Sequence, residues 1–316
     1  MTAPQKQLSP NVMRAVGLKL AAVVIFTAMA SCIKAASAEV PPGQAVFFRA
    51  FFAIPVILFW LSWQGKLADG LRTKNFGGHL WRGIVGTCAM AAGFTGLALL
   101  PFPEVTAIGF ASPIITVILA AMFLGEKVRL FRISAVLIGL IGVTIILSPR
   151  FSAATGDNIT ALAALGASAA LASAFLRAVA LVFTRKLIVY ESTPTIVFYF
   201  SSIAAFFGLM TLPFGWVVPS NLTILLLVSA GILGGFGQIF LTSSYRYAEA
   251  GVIAPFDYTA MLLALLIGYF VFGETPTPIV LLGASLIIAA GVFIILRERR
   301  LGLTRGPAKS VTPSQG

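Results

Sequence analysis

Charge is scarce in this sequence: 10% of its 316 residues are Asp, Glu, Lys or Arg, where soluble domains carry about a quarter. With a mean hydropathy of +0.99, the chain has more apolar surface than one water-soluble core can hide. Histidine occurs once, as His79, and cysteine twice, as Cys32 and Cys88, both in apolar runs. These build neither a disulfide framework nor a metal-ligand spacing, and no metal or cofactor is expected. The absence of a GxxxxGK[ST] stretch excludes nucleotide hydrolysis by a phosphate loop. The ten acidic residues do not cluster as a metal-dependent lipid-linked transferase would need, which makes an integral-membrane enzyme the weaker alternative. No ring of like charges suggests a channel, and the alternating segments of an outer-membrane barrel are missing.

What the sequence does have is ten apolar runs, near 15–37, 44–63, 83–100, 104–123, 133–148, 159–184, 194–213, 221–243, 249–272 and 279–296. Each is close to the roughly 20 residues that cross a bilayer as a helix. The expected fold is an all-α bundle of ten transmembrane helices. The net charge of +12 follows the membrane rather than nucleic acid. If the N-terminus is cytoplasmic, all of the 22 basic residues except Lys19, Lys34, Arg49, Arg150 and Arg177 fall on the cytoplasmic side, which is the positive-inside pattern. Both termini are therefore expected in the cytoplasm of a bacterial cell, with the protein multi-pass in its inner membrane. Residues 1–38, ending in Ala36-Ser37-Ala38, also imitate a cleaved signal peptide, but an internal repeat requires that first helix to stay.

That repeat aligns Gly125-Glu126 with Gly273-Glu274 and Gly83–Gly86 with Gly231–Gly234 at an offset of 148, and Lys34 with Arg185 and Val46-Phe47 with Val197-Phe198 at 151. The phrases GVTIIL at 142–147 and GVFIIL at 291–296 close the two halves. Five helices per half force the second half to enter from the opposite side. The expected organisation is an inverted repeat, 14–149 and 157–297, around a central cavity. An N-terminal tail (1–13) and a basic tail (298–316) flank it, and Glu126 and Glu274 fall at opposite membrane faces.

Glu104–Leu124 followed by Gly125-Glu126, together with Ala254-Pro255-Phe256-Asp257-Tyr258 running to Gly273-Glu274, resembles the two signature regions of EamA-type proteins of the drug/metabolite transporter superfamily. Val46-Phe47-Phe48-Arg49 is similar to that family's Arg-bearing start of helix 2. The resemblance implies a secondary transporter with helices 1, 3, 4, 6, 8 and 9 around the cavity. It also implies a substrate among amino acids, purine-type metabolites, S-adenosylmethionine, flavin vitamins or drugs.

Ionisable groups inside a bilayer are costly and mark function by default. Asp257 lies eight residues past Glu249 and Arg177 eight before Arg185, each about 12 Å deep at 1.5 Å per residue. A switchable Arg177–Asp257 pair, a permanent structural pair and a snorkelling Arg177 are the three readings. Arg49 and Lys34 read as snorkelling to the outer headgroups or as a cationic vestibule partly balanced by Glu104. Lys19 reads as snorkelling inward, and His79 as a residue of a basic loop. Pro113 and Pro255 disturb the carbonyls of Gly109 and Gly251, which can bind a polar ligand where they face a cavity. Gln238 and Tyr258 are neutral hydrogen-bonding candidates. The glycines at 83, 86, 93 and 96 and at 231, 234, 235 and 237 allow close helix packing. Phe48, Phe94, Phe236 and Phe256 are available to stack a flat solute. The expected function is transport of a small organic metabolite driven by a proton or a counter-substrate, with riboflavin uptake as the specific reading. Export of amino acids or related metabolites is the alternative, and a homodimer is left open.

Overall fold

A computed structural model describes residues 11–65, 67–73, 75–124, 130–152, 158–248 and 253–300. Gly125, Glu126, Glu249, Gly251 and the tails 1–10 and 301–316 lie outside them. Among the described residues there are helices and turns and no strand. Ten membrane segments follow in chain order: α1 (Val12–Ala36), α2 (Pro42–Phe51 and Ala53–Trp63), α3 (Phe76–Leu99), α4 (Phe102–Gly109 and Ala111–Leu124) and α5 (Leu130–Ser152). The second set is α6 (Asn158–Ile188), α7 (Thr193–Leu209), α8 (Asn221–Tyr247), α9 (a 3-10 turn Ala254–Tyr258 leading into Thr259–Phe272) and α10 (Pro278–Arg300). The spans containing α1, α2, α3, α6 and α8 are long and apolar enough to cross a membrane by themselves.

Local chemistry sets the ends. Asn11 caps α1 by accepting from the Arg14 N–H, Asn75 caps α3 from Gly78, Ser192 caps α7 from Thr195 and Ser220 caps α8 from Thr223, which satisfies otherwise orphaned donors. Gly273 stops α9 at φ +65°, with the Glu274 N–H donating to the Gly268 carbonyl; this left-handed closure suits a residue with no Cβ.

Three segments break, each beside a proline. α2 bends at Phe52 and α4 at Phe110, each three residues before a proline, Pro55 or Pro113, that lacks the N–H its helix needs. α9 begins as 3-10 turn around Pro255. The second and third breaks are those anticipated from Pro113 and Pro255.

The helices pair as α1 along α8, α3 along α6, α5 along α10, and α2 against α7 and α8. Glycines let the backbones meet. A Cβ on Gly142 of α5 would stand 2.7 Å from the Gly283 carbonyl of α10, and one on Gly231 of α8 would stand 2.9 Å from the Phe48 carbonyl of α2. One apolar core joins α4, α5, α6, α9 and α10, and a second joins α1, α2, α3, α4, α8 and α9. These are two inverted five-helix repeats around a central cavity.

Candidate functional site

Repeat symmetry places the two central breaks against each other. The 148-residue offset makes Phe110 of α4 equivalent to Tyr258 of α9 and Gly109 equivalent to Asp257. Phe110 and Tyr258 touch edge to face, with ring centroids 5.2 Å apart. The ion pair of Asp257 is made with Lys19 of α1, Nζ to Oδ1 2.7 Å. This corrects two expectations: Lys19 is 2% exposed and does not snorkel, and Asp257 is not bonded to Arg177. The reason is rotational, because α1 turns Lys19 toward α8 and α9, where its ammonium also lies over the Tyr245 ring at 5.5 Å. Arg177 reaches across to the α4 break, and a Cβ on Gly109 would stand 2.9 Å from its Nη2. Its side chain keeps accessible surface, and Asp257 is the opposite charge nearby. Phe110, Tyr258, Asp257, Lys19 and Arg177 thus converge where two helices lose backbone hydrogen bonds. Gln238 is buried on α8 and donates to Thr242 Oγ1 at 3.4 Å, seven residues, or about 10 Å, along the helix from Tyr245.

A second ion pair lies at the far end of the same two helices. Lys34 Nζ, at the end of α1, is 3.0 Å from Glu274 Oε1, just past α9. It also donates to the carbonyls of Leu97 (3.2 Å) and Leu100 (2.7 Å), and Glu274 Oε2 accepts the Phe102 N–H at 2.6 Å. Lys34 therefore does not snorkel; it ties α1 to the end of α3, the start of α4 and the end of α9. Glu104 is 5% exposed in the first turn of α4, where a carboxylate complements the helix dipole. Glu274 supplies the charge that balances Lys34.

Arg49 also departs from the snorkelling reading, at 3% exposure. The 151-residue offset makes it the equivalent of Phe200, and its guanidinium lies over that ring at 5.4 Å. Arg82, expected on the cytoplasmic side just before the third span, is buried in α3 at 4% exposure and lies over the same ring at 3.8 Å, with Nε donating to Thr184 Oγ1 at 3.3 Å. Each midspan Arg costs about 2.5–3.5 kcal/mol on insertion scales, while a desolvated cation–π contact returns about 2, so the ring does not balance the two charges. His79 is also outside the expected loop: it is fully buried in α3, stacked near Tyr199 at 4.7 Å and 3.7 Å from Glu191. Among the described residues no cluster of three metal-ligating side chains occurs.

A two-repeat helical bundle with ionisable groups at the contact of its broken helices defines a membrane transporter. The sequence profile described as the EamA-like transporter family matches residues 13–148 and again 164–297, and the chain belongs to that family, as a multi-pass membrane protein for a small-molecule substrate. It is 29% identical to an S-adenosylmethionine uptake transporter of Rickettsia prowazekii (strain Madrid E), over 81% of this chain and 84% of the relative. It is 33% identical to a riboflavin transporter of Rhizobium johnstonii, over 82% and 83%, and 29% identical to a pseudopaline exporter of Pseudomonas aeruginosa (strain UCBPP-PA14), over 87% and 94%.

Lys19, Phe110, Arg82 and Tyr245 were missed as site residues in the sequence. Phe110 was within reach, because the repeat offset carries Asp257-Tyr258 directly onto Gly109-Phe110.

Proposed function

We propose that the chain is a secondary transporter of the bacterial inner membrane, with both termini cytoplasmic, that takes up riboflavin by alternating access. The observation that carries this is the meeting of two broken helices through Phe110 and Tyr258, 5.2 Å apart, beside Asp257, Lys19 and Arg177. Aromatic rings accept the face or edge of a flat heterocycle. The backbone left unpaired by Pro113 and the neighbouring charges offer partners for a polyhydroxylated chain. A riboflavin transporter at 33% identity supports the same reading.

The cycle follows from the two α1–α9 pairs. Protonation of Asp257, or a substrate group that replaces its partner, releases Lys19 and frees α9 from α1 at the site. Breaking Lys34–Glu274 frees the far end, and access alternates as one pair opens while the other holds. A proton or a counter-substrate drives the exchange. Gln238 lines the route one level above, and Pro113 and Pro255 supply the bends.

One observation favours a second reading. Arg177 and Asp257 present opposite charges near each other without bonding, which complements an amino-acid zwitterion and suits export of amino acids or related metabolites.

The test is growth of a bacterium that can neither make nor import riboflavin, on titrated vitamin. Rescue at low riboflavin, lost in Asp257→Asn at unchanged membrane level, is the expected result. A well-inserted protein that gives no rescue rejects the flavin reading and leaves zwitterion export to be measured by release of labelled amino acids.

A further inference from the structure

Arg49 and Arg82 take no part in that cycle, yet both lie over Phe200, the repeat equivalent of Arg49. Gly86 of α3 and Gly234 of α8 are equivalent at the 148-residue offset, as Arg49 and Phe200 are at 151. A Cβ on Gly86 would stand 2.8 Å from Phe200, and one on Gly234 would stand 2.7 Å from Arg49 Nε. Each repeat therefore inserts its second-helix side chain against a glycine of the other repeat, across the pseudo-two-fold axis, where inverted-repeat transporters place ligands.

Two guanidiniums over one ring repel each other. Nε and Nη1 of Arg49 and Nη1 of Arg82 are buried with no hydrogen-bond partner among the described residues, and no described carboxylate is within ion-pair distance of either. Glu191, the acid of this region, accepts from Thr73 and approaches His79. A water molecule would answer the free N–H groups without answering the charge. An anion answers both, and a planar guanidinium donates to a carboxylate or halide through a fixed fork.

We infer that Arg49 and Arg82, over Phe200, form a binding site for one small anionic group, either a free halide-sized ion or the carboxylate of an organic solute. The site is independent of whichever solute the Phe110–Tyr258 contact takes. The Nη2 of Arg49 is already engaged with the Gly234 carbonyl at 3.4 Å and the Nε of Arg82 with Thr184, so the free nitrogens are held in place by bonds on their other side.

The test uses the full chain in lipid nanodiscs. Its thermal unfolding midpoint is followed as sodium chloride or sodium acetate is titrated at constant ionic strength against the sodium salt of a bulky sulfonate. A saturable rise is expected, with the half-saturating concentration increased at least tenfold in Arg49→Gln and Arg82→Gln and unchanged in Arg72→Gln, an exposed loop cation. A rise with both anions identifies a free-ion site, and a rise with acetate alone identifies a carboxylate subsite. A flat wild-type titration overturns the inference, and so does a saturable rise that the Gln variants share. Should a Gln variant fail to fold, Arg82→Lys keeps the charge and loses the fork, and a weakened rise is expected; an Arg82→Lys response equal to wild type would refute the site.

Discussion

Glu274→Gln should loosen the far end of the transporter by an amount the geometry allows to be estimated. Glu274 holds Lys34 at 3.0 Å and accepts the Phe102 N–H at 2.6 Å, while Lys34 keeps its carbonyl bonds to Leu97 and Leu100. The two side chains are 14% and 19% exposed. The pair should therefore exceed the 0–1 kcal/mol of a surface ion pair and fall short of the roughly 3–5 lost on breaking a fully buried one. A loss of about 2 kcal/mol changes the closed-to-open ratio about 30-fold. Spin labels on Ala38→Cys and Thr275→Cys, both exposed at that end, in a background with Cys32 and Cys88 replaced by Ala, would read the separation of α1 from α9 by pulsed dipolar spectroscopy. A narrow short-distance population in the parent should gain a longer component in Glu274→Gln, and a similar one in Lys34→Gln. A single unchanged peak in both variants would show that the pair does not hold the end shut.

Lys19→Met strands the Asp257 carboxylate and should lower uptake at unchanged membrane level; uptake equal to wild type would dissociate Lys19 from the cycle. Gly142→Ala should destabilise the bundle by about 1–3 kcal/mol, the usual cost of overpacking, because its Cβ meets the Gly283 carbonyl at 2.7 Å. Gly17→Ala on α1 meets nothing within 4 Å and should be neutral or stabilising, so unfolding midpoints of the two variants should move in opposite directions or by clearly unequal amounts. Glu39, in the turn after α1, accepts from Thr223, from the Ser220 N–H and from the Ser220 hydroxyl, and these bonds hold its carboxyl below the ordinary Glu value. A depressed value means the tie is complete above about pH 4.3 and is lost as pH falls through the lower folded value. Carbon-13 NMR of the labelled carboxyl should give a midpoint below that of a free Glu, moving up toward it in Thr223→Val.

The spans, the repeat and the central breaks were legible because each depends on local composition: apolar length, a fixed offset, and a proline inside a helix. Pro55 carries the same signal as Pro113, and α2 bends three residues before it at Phe52. The partners of the buried cations were harder to read. A helix apolar all round has no polar face to reveal which side turns inward, so Lys19, Lys34 and Arg49 looked free to snorkel. A faint signal existed in that Lys19 and Lys34 are 15 residues apart, about 60° round one helix, and α9 offers acids at both of its ends. His79 reads as a loop residue and Arg82 as lying just outside the third span because the apolar run starts only at Gly83, whereas the Asn75 cap begins α3 at Phe76. The Arg49–Phe200 contact was implicit in the 151-residue offset, but an offset gives equivalence, and only folding shows that equivalents touch.

The seam between α5 and α10 also limits how the molecule can move. Gly142 and Gly283 bring the two backbones together, and Ile146 and Ile287 fill the space beside them. Backbone against backbone leaves no long side chain to flex, so the last helices of the two repeats behave as a common keel rather than as sliding partners. Opening and closing are then left to the jointed helices: α2 elbowing at Phe52, α4 at Phe110, and α9 through the turn Ala254–Tyr258. Under the proposed alternating access such a carrier would flex its limbs about a fixed spine, and freezing any one elbow would stall it without loosening the frame.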